Sequence, residues 1–423
     1  MQLFGVNFSK QNLNSVYAIG ISTLFFLMIG LLAGCDNSSQ EKPAVRSSIS
    51  VVDKLGAISP GNYARAYRTR RFSFPTDHIS HPEYKHEWWY FSGNLSTDSG
   101  RRFGYQLTLF RIGLNDAESG SLSGFASKSF TNKVGNKSRW RAKNFYMAHF
   151  AVTDVSANKF FSHERFQRSA LGLAGALQKG INTDDSTQGI RIWVDDWVVE
   201  SVTDGVFPIR LSAEQGEISI KLYLDNVKSI VLNGDEGLSQ KGRKAGNASY
   251  YYSIPRMETS GTIVVEGETF RVAGTSWLDR EWSTTVLEPG QVGWDWFGLQ
   301  LQDGREIMFY QIRQSDGSMD DFSAGTFVKK DGTYVLILAR EVEIKVEEYW
   351  SSPKTGIRYP AAWTIRLLRH NIELSIAPLV AHQEMDLTVK YWEGAVVVKG
   401  RNLDGNRSSI RGYGYVELAG YDK

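Results

Sequence analysis

Among the features of this 423-residue sequence, short runs of alternating apolar and polar residues place the strongest limit on the possible folds. Residues 105–110, 218–222 and 342–346 follow this pattern, and a period of two is typical of strands with one buried face. Turn signals of hairpin type separate such runs, at Glu266-Gly267, Asp303-Gly304, Asp331-Gly332 and Asp404-Gly405. No long stretch has a helical period. The pattern therefore predicts an all-β fold of barrels or sandwiches.

An internal repeat indicates two similar halves. A shift of 205 residues aligns five identical pairs without a gap, namely Trp89 with Trp294, Gly93 with Gly298, Asp98 with Asp303, Tyr105 with Tyr310 and Gln106 with Gln311. One hairpin used twice, in two duplicated domains, explains this agreement. Residues 233–249 are rich in Gly, Lys and Ser, as linkers are. We therefore place an N-terminal domain at residues 76–245 and a C-terminal domain at residues 246–423.

The first 35 residues read as an export signal. An apolar run at residues 16–32 follows Lys10, and the sequence up to Cys35 (LAGC) resembles the lipobox of bacterial lipoproteins. Cys35 is the only cysteine, and we predict that it is lipidated after cleavage. Residues 36–75 then form a tether and lead-in. A transmembrane anchor is the alternative, but the run is at the short limit for a bilayer.

The predicted location is the periplasmic face of a bacterial membrane, with the lipid as the only membrane contact. Asp36, next to Cys35, favours the inner membrane by resemblance to sorting rules of enteric bacteria.

Composition argues against several classes of function. The formal net charge is +2, and basic residues are interspersed, so no nucleic-acid partner is expected. The seven histidines are scattered, and after Cys35 the chain has no thiol ligand, so no metal is expected. The sequence has neither a phosphate-binding loop nor a dinucleotide fingerprint, and we expect no cofactor.

The densest aromatic cluster is HEWWYF at residues 86–91. On a strand, His86, Trp88 and Tyr90 share one face. His86 in an aromatic cavity would have a shifted pKa and would serve as a catalytic acid or base, with Trp88 and Tyr90 contacting a ligand. The alternative is that His86 and Glu87 only satisfy backbone groups or pair with an arginine.

A second cluster contains two acids. Trp277, Asp279 and Glu281 alternate onto one face of a strand, whereas Arg280 and Trp282 point the other way. An acid beside a tryptophan in an apolar space is suited to protonating an unactivated substrate. The pattern equally fits an Asp-Arg-Glu pairing that closes the mouth of a barrel.

A third aromatic group begins just after the linker-like stretch. Tyr250 and Tyr252, together with Asp295, Trp296 and Trp282, suit a cavity for a flat or elongated apolar ligand. Burial in a core is the alternative for each of them. We expect the acids near Trp277 to face an apolar space inside one of two barrels.

These motifs together resemble the AttH/CrtC family. The motifs are HEWWY at 86–90, Tyr251-Tyr252, Ser260-Gly261, the 274–282 pattern GxxWxDxEW, YWEGAV at 391–396 and GxGYxELxGY at 412–421. The resemblance implies two lipocalin-like antiparallel β-barrels in tandem. One branch of the family contains carotenoid 1,2-hydratases, in which an aspartate protonates a terminal double bond. By that resemblance Asp279 is the acid, with Trp277 and Tyr252 facing the cation.

The other branch is encoded with ABC transporters and resembles accessory lipoproteins. We therefore expect a membrane-tethered lipoprotein that binds a hydrophobic small molecule or lipid, with an ABC transporter permease as a candidate partner. The alternative is a hydratase (lyase) or hydrolase-type enzyme that uses Asp279 as general acid, assisted by Glu281 and His86.

Overall fold

The computed structural model describes residues 62–114, 142–179, 189–284, 287–404 and 408–422. All of them belong to the unit Ser48–Lys423. The predicted signal peptide, the lipidation of Cys35 and most of the tether lie outside the described residues. Within the described part of the chain, no helix is long and apolar enough to cross a membrane.

The described chain is all-β, as predicted, and its strands form two curled antiparallel sheets, of which the first is a nearly closed barrel. The strands of this first sheet are β1 (His86–Ser96), β2 (Arg102–Gly113), β3 (Asn144–Asp154), β4 (Lys159–Arg168), β5 (Ala174–Lys179), β6 (Gly189–Val194), β7 (Trp197–Ser201), β8 (Ile209–Gln215), β9 (Ile218–Asn226), β10 (Val231–Leu232), β11 (Leu238–Gln240), β12 (Ala248–Val265) and β13 (Glu268–Ser283).

The second sheet is a half-barrel. Its strands are β14 (Gln291–Leu301), β15 (Glu306–Gln314), β16 (Ala324–Val328), β17 (Tyr334–Leu338), β18 (Val342–Ser351), β19 (Arg358–Leu367), β20 (Ile372–Pro378), β21 (Glu384–Asp386), β22 (Lys390–Asn402) and β23 (Ser409–Ala419). Single-turn 3-10 helices lie between strands, at Thr76–His78, Ala170–Gly172, Ala339–Glu341 and Leu368–His370.

The two sheets share one strand order. Nine strands of the first sheet follow the order β4-β3-β2-β1-β13-β12-β9-β8-β7, and nine of the second follow β17-β16-β15-β14-β23-β22-β20-β19-β18. The hairpins β1–β2 and β14–β15 therefore occupy equivalent places, as the repeat predicts. Glu266 and Gly267, between β12 and β13, both have positive φ, which suits a tight hairpin turn.

The register of the repeat differs from the predicted one by one residue. At a shift of 205, Trp89, which lies in the core of the first sheet, aligns with Trp294, which faces the other sheet. A shift of 206 instead matches Trp88 with Trp294 and Tyr90 with Trp296, and all four face the space between the sheets. Because side chains alternate along a strand, a slip of one residue exchanges the two faces. The strand correspondence is right and the predicted register is wrong.

The break between the sheets lies between Ser283 and Gln291. Strands β12 and β13 complete the first sheet because β13 pairs with β1 along its length. The predicted domain boundary at residues 245/246 does not coincide with this break. The Gly-rich stretch at residues 233–249 contains β11, which pairs with β12. This stretch is therefore part of the first sheet and its loops, and not a linker between domains.

Each sheet packs its own apolar core. The first includes the fully buried Trp89, Trp197 and Trp282, and the second includes Trp363 and Trp392. A third apolar cluster, which we call the intersheet cluster, draws residues from both sheets: Tyr90, Tyr251, Trp277, Trp296, Met308, Tyr310, Ile312, Ala395 and Tyr415. The barrel interior of the first sheet is thus occupied by the protein's own side chains, and the predicted acids do not face it.

Candidate functional site

Asp279 lies on β13 next to the intersheet cluster, where it contacts Trp277 and Tyr251 and is 3% exposed. Its carboxylate accepts hydrogen bonds from Ser253 Oγ at 2.5 Å, from Trp277 Nε1 at 2.7 Å and from the Tyr251 hydroxyl. Burial raises the pKa of Asp279 to about 6, although these three donors oppose the shift; the nearby Glu281 raises it further. A carboxyl that holds its proton near neutral pH can donate it to a substrate.

Aromatic rings surround this acid from both sheets. The ring of Tyr90 packs edge-on against that of Trp296, with centroids 5.1 Å apart, and Trp277 does the same at 6.0 Å. The Trp296 Nε1 donates to the Tyr251 hydroxyl at 3.1 Å, which joins the second sheet to the acid of the first. Such rings stabilise a cation that forms beside them.

Glu281 also faces the intersheet side, next to a lysine. The Lys241 Nζ lies 3.3 Å from Glu281 and 3.6 Å from the centroid of the Tyr310 ring. Burial acts to lower the pKa of Lys241, but the charges and hydrogen bonds of Glu281 and Tyr310 together outweigh it and the pKa is raised. Lys241 therefore stays charged and neutralises Glu281, so that of the two acids on this face of β13 Asp279 is the one without a cationic partner within the described residues.

Three predicted ligand residues lie on the opposite face. Tyr250, Tyr252 and Trp282 belong to the packed core of the first sheet. The Tyr252 hydroxyl lies 2.5 Å from the His78 Nδ1, and the ring of His81 stacks on Trp282 at 3.8 Å. The pleat of β12 and β13 separates these residues from Asp279 and Trp277. The structure therefore does not place them with the acid.

Arg280 forms a buried ion cluster on this same core face. Glu87 binds the fully buried Arg280 at 2.5 Å and the equally buried Arg111. Although burial acts to raise it, the two arginines hold the pKa of Glu87 well below its usual range. The sequence left open an Asp-Arg-Glu pairing for Arg280. Its acidic partner is Glu87, because Asp279 and Glu281 point to the other side.

His86 and Trp88 begin β1, on the intersheet side by their position in the pleat. His86 is 2% exposed, its Nδ1 has no hydrogen-bond partner within the described residues, and burial lowers its pKa to about 3. Its imidazole is therefore neutral near pH 7 and poorly suited to be a general acid. Trp88 is half-buried and packs against the intersheet cluster.

The side chain of Asp295 lies on the opposite face of β14 from that of Trp296, with which it is predicted to line a ligand cavity. It is bound by Arg313 at 3.0 Å and accepts hydrogen bonds from the Tyr421 hydroxyl. Burial raises the pKa of Asp295 to about 6, against the effect of Arg313. Since Phe297 on the same face of β14 packs in the second core, Asp295 stabilises that core and does not reach the acid.

Two acids that the site prediction omitted approach the intersheet cluster from the second sheet. Glu393 on β22 and Glu417 on β23 are direct cross-strand neighbours. Both fall in the C-terminal motifs of the chain, YWEG and GYxEL, where an acid among aromatic strand residues was the available signal. Within the described residues, no group of three His, Cys, Asp or Glu side chains is arranged to hold a metal ion.

A cavity of about 200 Å³ lies elsewhere between the two sheets. Its lining includes Asn94, Thr275, Gln300 and Arg256, and none of the predicted site residues. Asn94 Nδ2 donates to the Gly414 carbonyl across the sheets, and Gln300 Nε2 donates to the Ser276 carbonyl. This polar cavity contributes to the contact between sheets and is separate from Asp279.

Comparison with solved structures gives close and distant relatives. A crystal structure of a protein assigned as AttH, from Nitrosomonas europaea, has 31% identity and a TM-score of 0.69, over 85% of this chain and 99% of that one. Kievitone hydratase from Nectria haematococca has 15% identity and a TM-score of 0.58, over 86% and 97%. CghA has 11% identity and a TM-score of 0.51, over 86% and 97%.

The last two likenesses concern the fold alone. Among proteins with curated functions, none matches the chain significantly. The model of the family described as AttH-like matches residues 65–421, which include both sheets and the whole intersheet cluster. This chain belongs to the AttH-like family.

Proposed function

We propose that this protein is a cofactor-independent enzyme of hydratase type, which binds an apolar unsaturated molecule between its two sheets. One observation carries the proposal: Asp279 is a buried carboxyl with its pKa raised to about 6, enclosed by the rings of Trp277, Tyr90 and Trp296. An acid of this kind can protonate a carbon–carbon double bond, and the rings can stabilise the cation that results.

The proposed reaction balances with water alone. Asp279 gives its proton to one carbon of the double bond, and the other carbon becomes a cation. A water oxygen forms the new carbon–oxygen bond and then loses a proton, so that an alkene and water become an alcohol. The fold shared with kievitone hydratase supports this class of reaction without identifying the substrate. By the resemblance to carotenoid hydratases, we choose isoprenoid polyenes with a terminal isopropylidene group as first substrates.

The test is Asp279→Asn in the full chain, with squalene as the probe. Incubation in H₂¹⁸O and mass spectrometry measure hydration, and quenching of tryptophan fluorescence measures squalene binding. General acid catalysis contributes about 10²–10⁴-fold, so the hydration rate should fall by at least about 100-fold while the Kd stays within about twofold. The matched control is Asp154→Asn, which removes another buried carboxylate, outside the cluster and paired with Arg101. Equal hydration by Asp279→Asn and the wild-type protein would refute the proposal.

A second candidate is a binding protein without turnover. The observation that favours it is the set of three donors on Asp279, from Tyr251, Ser253 and Trp277, which would serve a purely structural carboxylate equally well. In this case the protein would be a lipoprotein anchored at Cys35 on the periplasmic face of the membrane, and would present a hydrophobic molecule to an ABC transporter. Squalene binding without ¹⁸O incorporation, combined with radioactive palmitate labelling that is lost in Cys35→Ser, would favour this candidate.

A further inference from the structure

The face-preserving register of the duplication identifies a counterpart of Asp279. Asp279 lies directly opposite Tyr90 on the β1–β13 pair, and Glu417 lies directly opposite Trp296 on the β14–β23 pair. Because Tyr90 and Trp296 are equivalent in the two sheets, so are Asp279 and Glu417. Each repeat therefore contributes one carboxyl, at the same strand position, to the space between the sheets.

The surroundings of the two acids are also equivalent, with one difference. Ser253 on β12 lies opposite Asp279, and Glu393 on β22 lies opposite Glu417. In the first repeat the serine hydroxyl donates to the acid. In the second repeat a carboxyl takes the place of that hydroxyl, so two acids face each other where the first repeat has an acid and a donor.

This second pair has few internal partners. Glu393 is 1% exposed, and neither of its carboxyl oxygens has a hydrogen-bond partner of good geometry within the described residues. The hydroxyls of Tyr90 and Tyr391 lie near enough to favour its ionised form. Glu417 accepts one hydrogen bond, from Trp294 Nε1 at 2.9 Å. Within the described residues neither glutamate forms an ion pair with lysine or arginine.

Two directly opposed carboxyls of this kind cannot both be ionised. Like charges across a strand pair repel, and burial without a cation adds the cost of desolvation. Burial raises the pKa of Glu393 well above its usual value, and the charge of Glu417 raises it further. Burial raises the pKa of Glu417 to about 7, with smaller contributions from Asp279 and Glu281. The pair must therefore hold a proton near neutral pH, with Glu393 as the more strongly protonated member.

The titratable groups that face Glu417 come from three strands. They are Glu393 and Tyr391 on β22, Asp279 and Glu281 on β13, and Tyr90 on β1. The nearby Lys241 is paired with Glu281. Glu417 and Trp294 are half-buried, whereas Asp279 and Glu393 are buried. Solvent therefore reaches the cluster on the side of Glu417.

We propose that Glu417 and Glu393 form a proton-sharing pair that completes the site of Asp279, with Glu417 as the group that receives the proton of the added water. The proposal rests on the hydratase function above. Asp279 loses a proton to carbon, water forms the carbon–oxygen bond, and ionised Glu417 accepts the proton that the water oxygen releases. The proton then returns from Glu417 to Asp279 through water, so the cycle consumes only the alkene and one water.

The experiment titrates the carboxyls directly. The full chain, labelled with ¹³C at the Glu and Asp side-chain carboxyls, is followed by NMR over pH 4 to 9, and signals are assigned by their loss in Glu417→Gln, Glu393→Gln and Asp279→Asn. Coupled sites interact by more than about one pK unit, so Glu417→Gln should lower the apparent pKa of Glu393 by at least about one unit. Asp279→Asn should likewise lower the apparent pKa of Glu417, because the charge of Asp279 raises it in the wild-type protein.

A matched control and a conservative variant complete the test. Glu200→Gln, which alters a glutamate of β7 bound by Arg210, should leave the titration of the pair unchanged. Glu417→Asp keeps a carboxyl and should keep the coupling, which separates loss of charge from a folding defect. Hydration of squalene should fall by at least about 100-fold in Glu417→Gln, with squalene Kd within about twofold.

The possible outcomes separate the two proposals. Independent titration of Glu393 and Glu417 near their ordinary pKa, or coupling equally lost in Glu417→Asp, would overturn the proton-sharing pair. Unchanged hydration by Glu417→Gln would overturn its role as base. Intact coupling in a wild-type protein that hydrates no polyene would instead overturn the hydratase function and leave the pair standing.

Discussion

The free energy of unfolding should fall less with rising pH in Asp279→Asn than in the wild-type protein. Burial raises the pKa of Asp279 from 3.8 to about 6, so the folded protein binds this proton more tightly than the unfolded chain does. The resulting stabilisation is complete below pH 3.8 and is lost as pH rises through 6. A shift of about 2 pK units corresponds to about 3 kcal/mol. About 1.4 kcal/mol of this remains at pH 5, and almost none at pH 8.

The assay is urea unfolding of both proteins at pH 5 and pH 8, with the free energy taken from the midpoint and slope. Asparagine does not titrate, so the wild-type protein should lose at least about 1.4 kcal/mol more than the variant between these pH values. The lowered pKa of Glu417 in the variant adds to this difference in the same direction. The altered hydrogen bonds to Tyr251, Ser253 and Trp277 change stability equally at both pH values and cancel in the difference. An equal change in both proteins would show that Asp279 titrates normally, and the argument for a buried acid would fail.

Two other substitutions test the packing of the two sheets. Glu87→Gln leaves the buried guanidinium groups of Arg111 and Arg280 without a counter-charge and should destabilise the protein by about 3–5 kcal/mol in urea unfolding at pH 7; a loss under 1 kcal/mol would show that water already solvates them. Gly104→Val places a Cβ about 2.7 Å from the Cβ of Ala395 on the facing sheet, so it should cost about 1–3 kcal/mol by the same measurement. No change there would mean that the sheets can separate freely at this point.

The fold follows from local patterns that are visible in the sequence. The alternation at residues 218–222 becomes β9, whose Ile218, Ile220 and Leu222 are buried in the core. The turn signals at Asp303-Gly304 and Asp331-Gly332 become the β14–β15 and β16–β17 connections. These features depend on neighbours along the chain, and for that reason periodicity and turn chemistry reveal them.

The site follows less directly, because its position depends on contacts between distant strands. The alternation of Trp277, Asp279 and Glu281 correctly predicts that they share a face. It does not say whether that face lines a barrel or meets a second sheet. Apolar residues of the facing sheet, such as Trp296 and Tyr310, determine that this face of β13 packs against a second sheet. The sequence of β13 does not reveal this, because both of its faces have similar period-two patterns. For the same reason the pattern around Tyr250 and Tyr252 predicts ligand contact, although both residues pack in the core of the first sheet.

The one-residue error in the repeat register explains why the sequence pattern does not predict Glu393 and Glu417 as site residues. At a shift of 205, Tyr90 falls on Asp295, whose carboxyl faces the second core and does not correspond to Asp279. At a shift of 206, Tyr90 falls on Trp296, and the cross-strand partner of Trp296 is Glu417. Identity counts favour the first register, whereas burial selects the second, because a strand keeps its buried face through duplication more strictly than it keeps particular residues. Both sheets therefore carry a carboxyl at this strand position, and the hydroxyl that supports Asp279 in the first sheet corresponds to the carboxyl of Glu393 in the second.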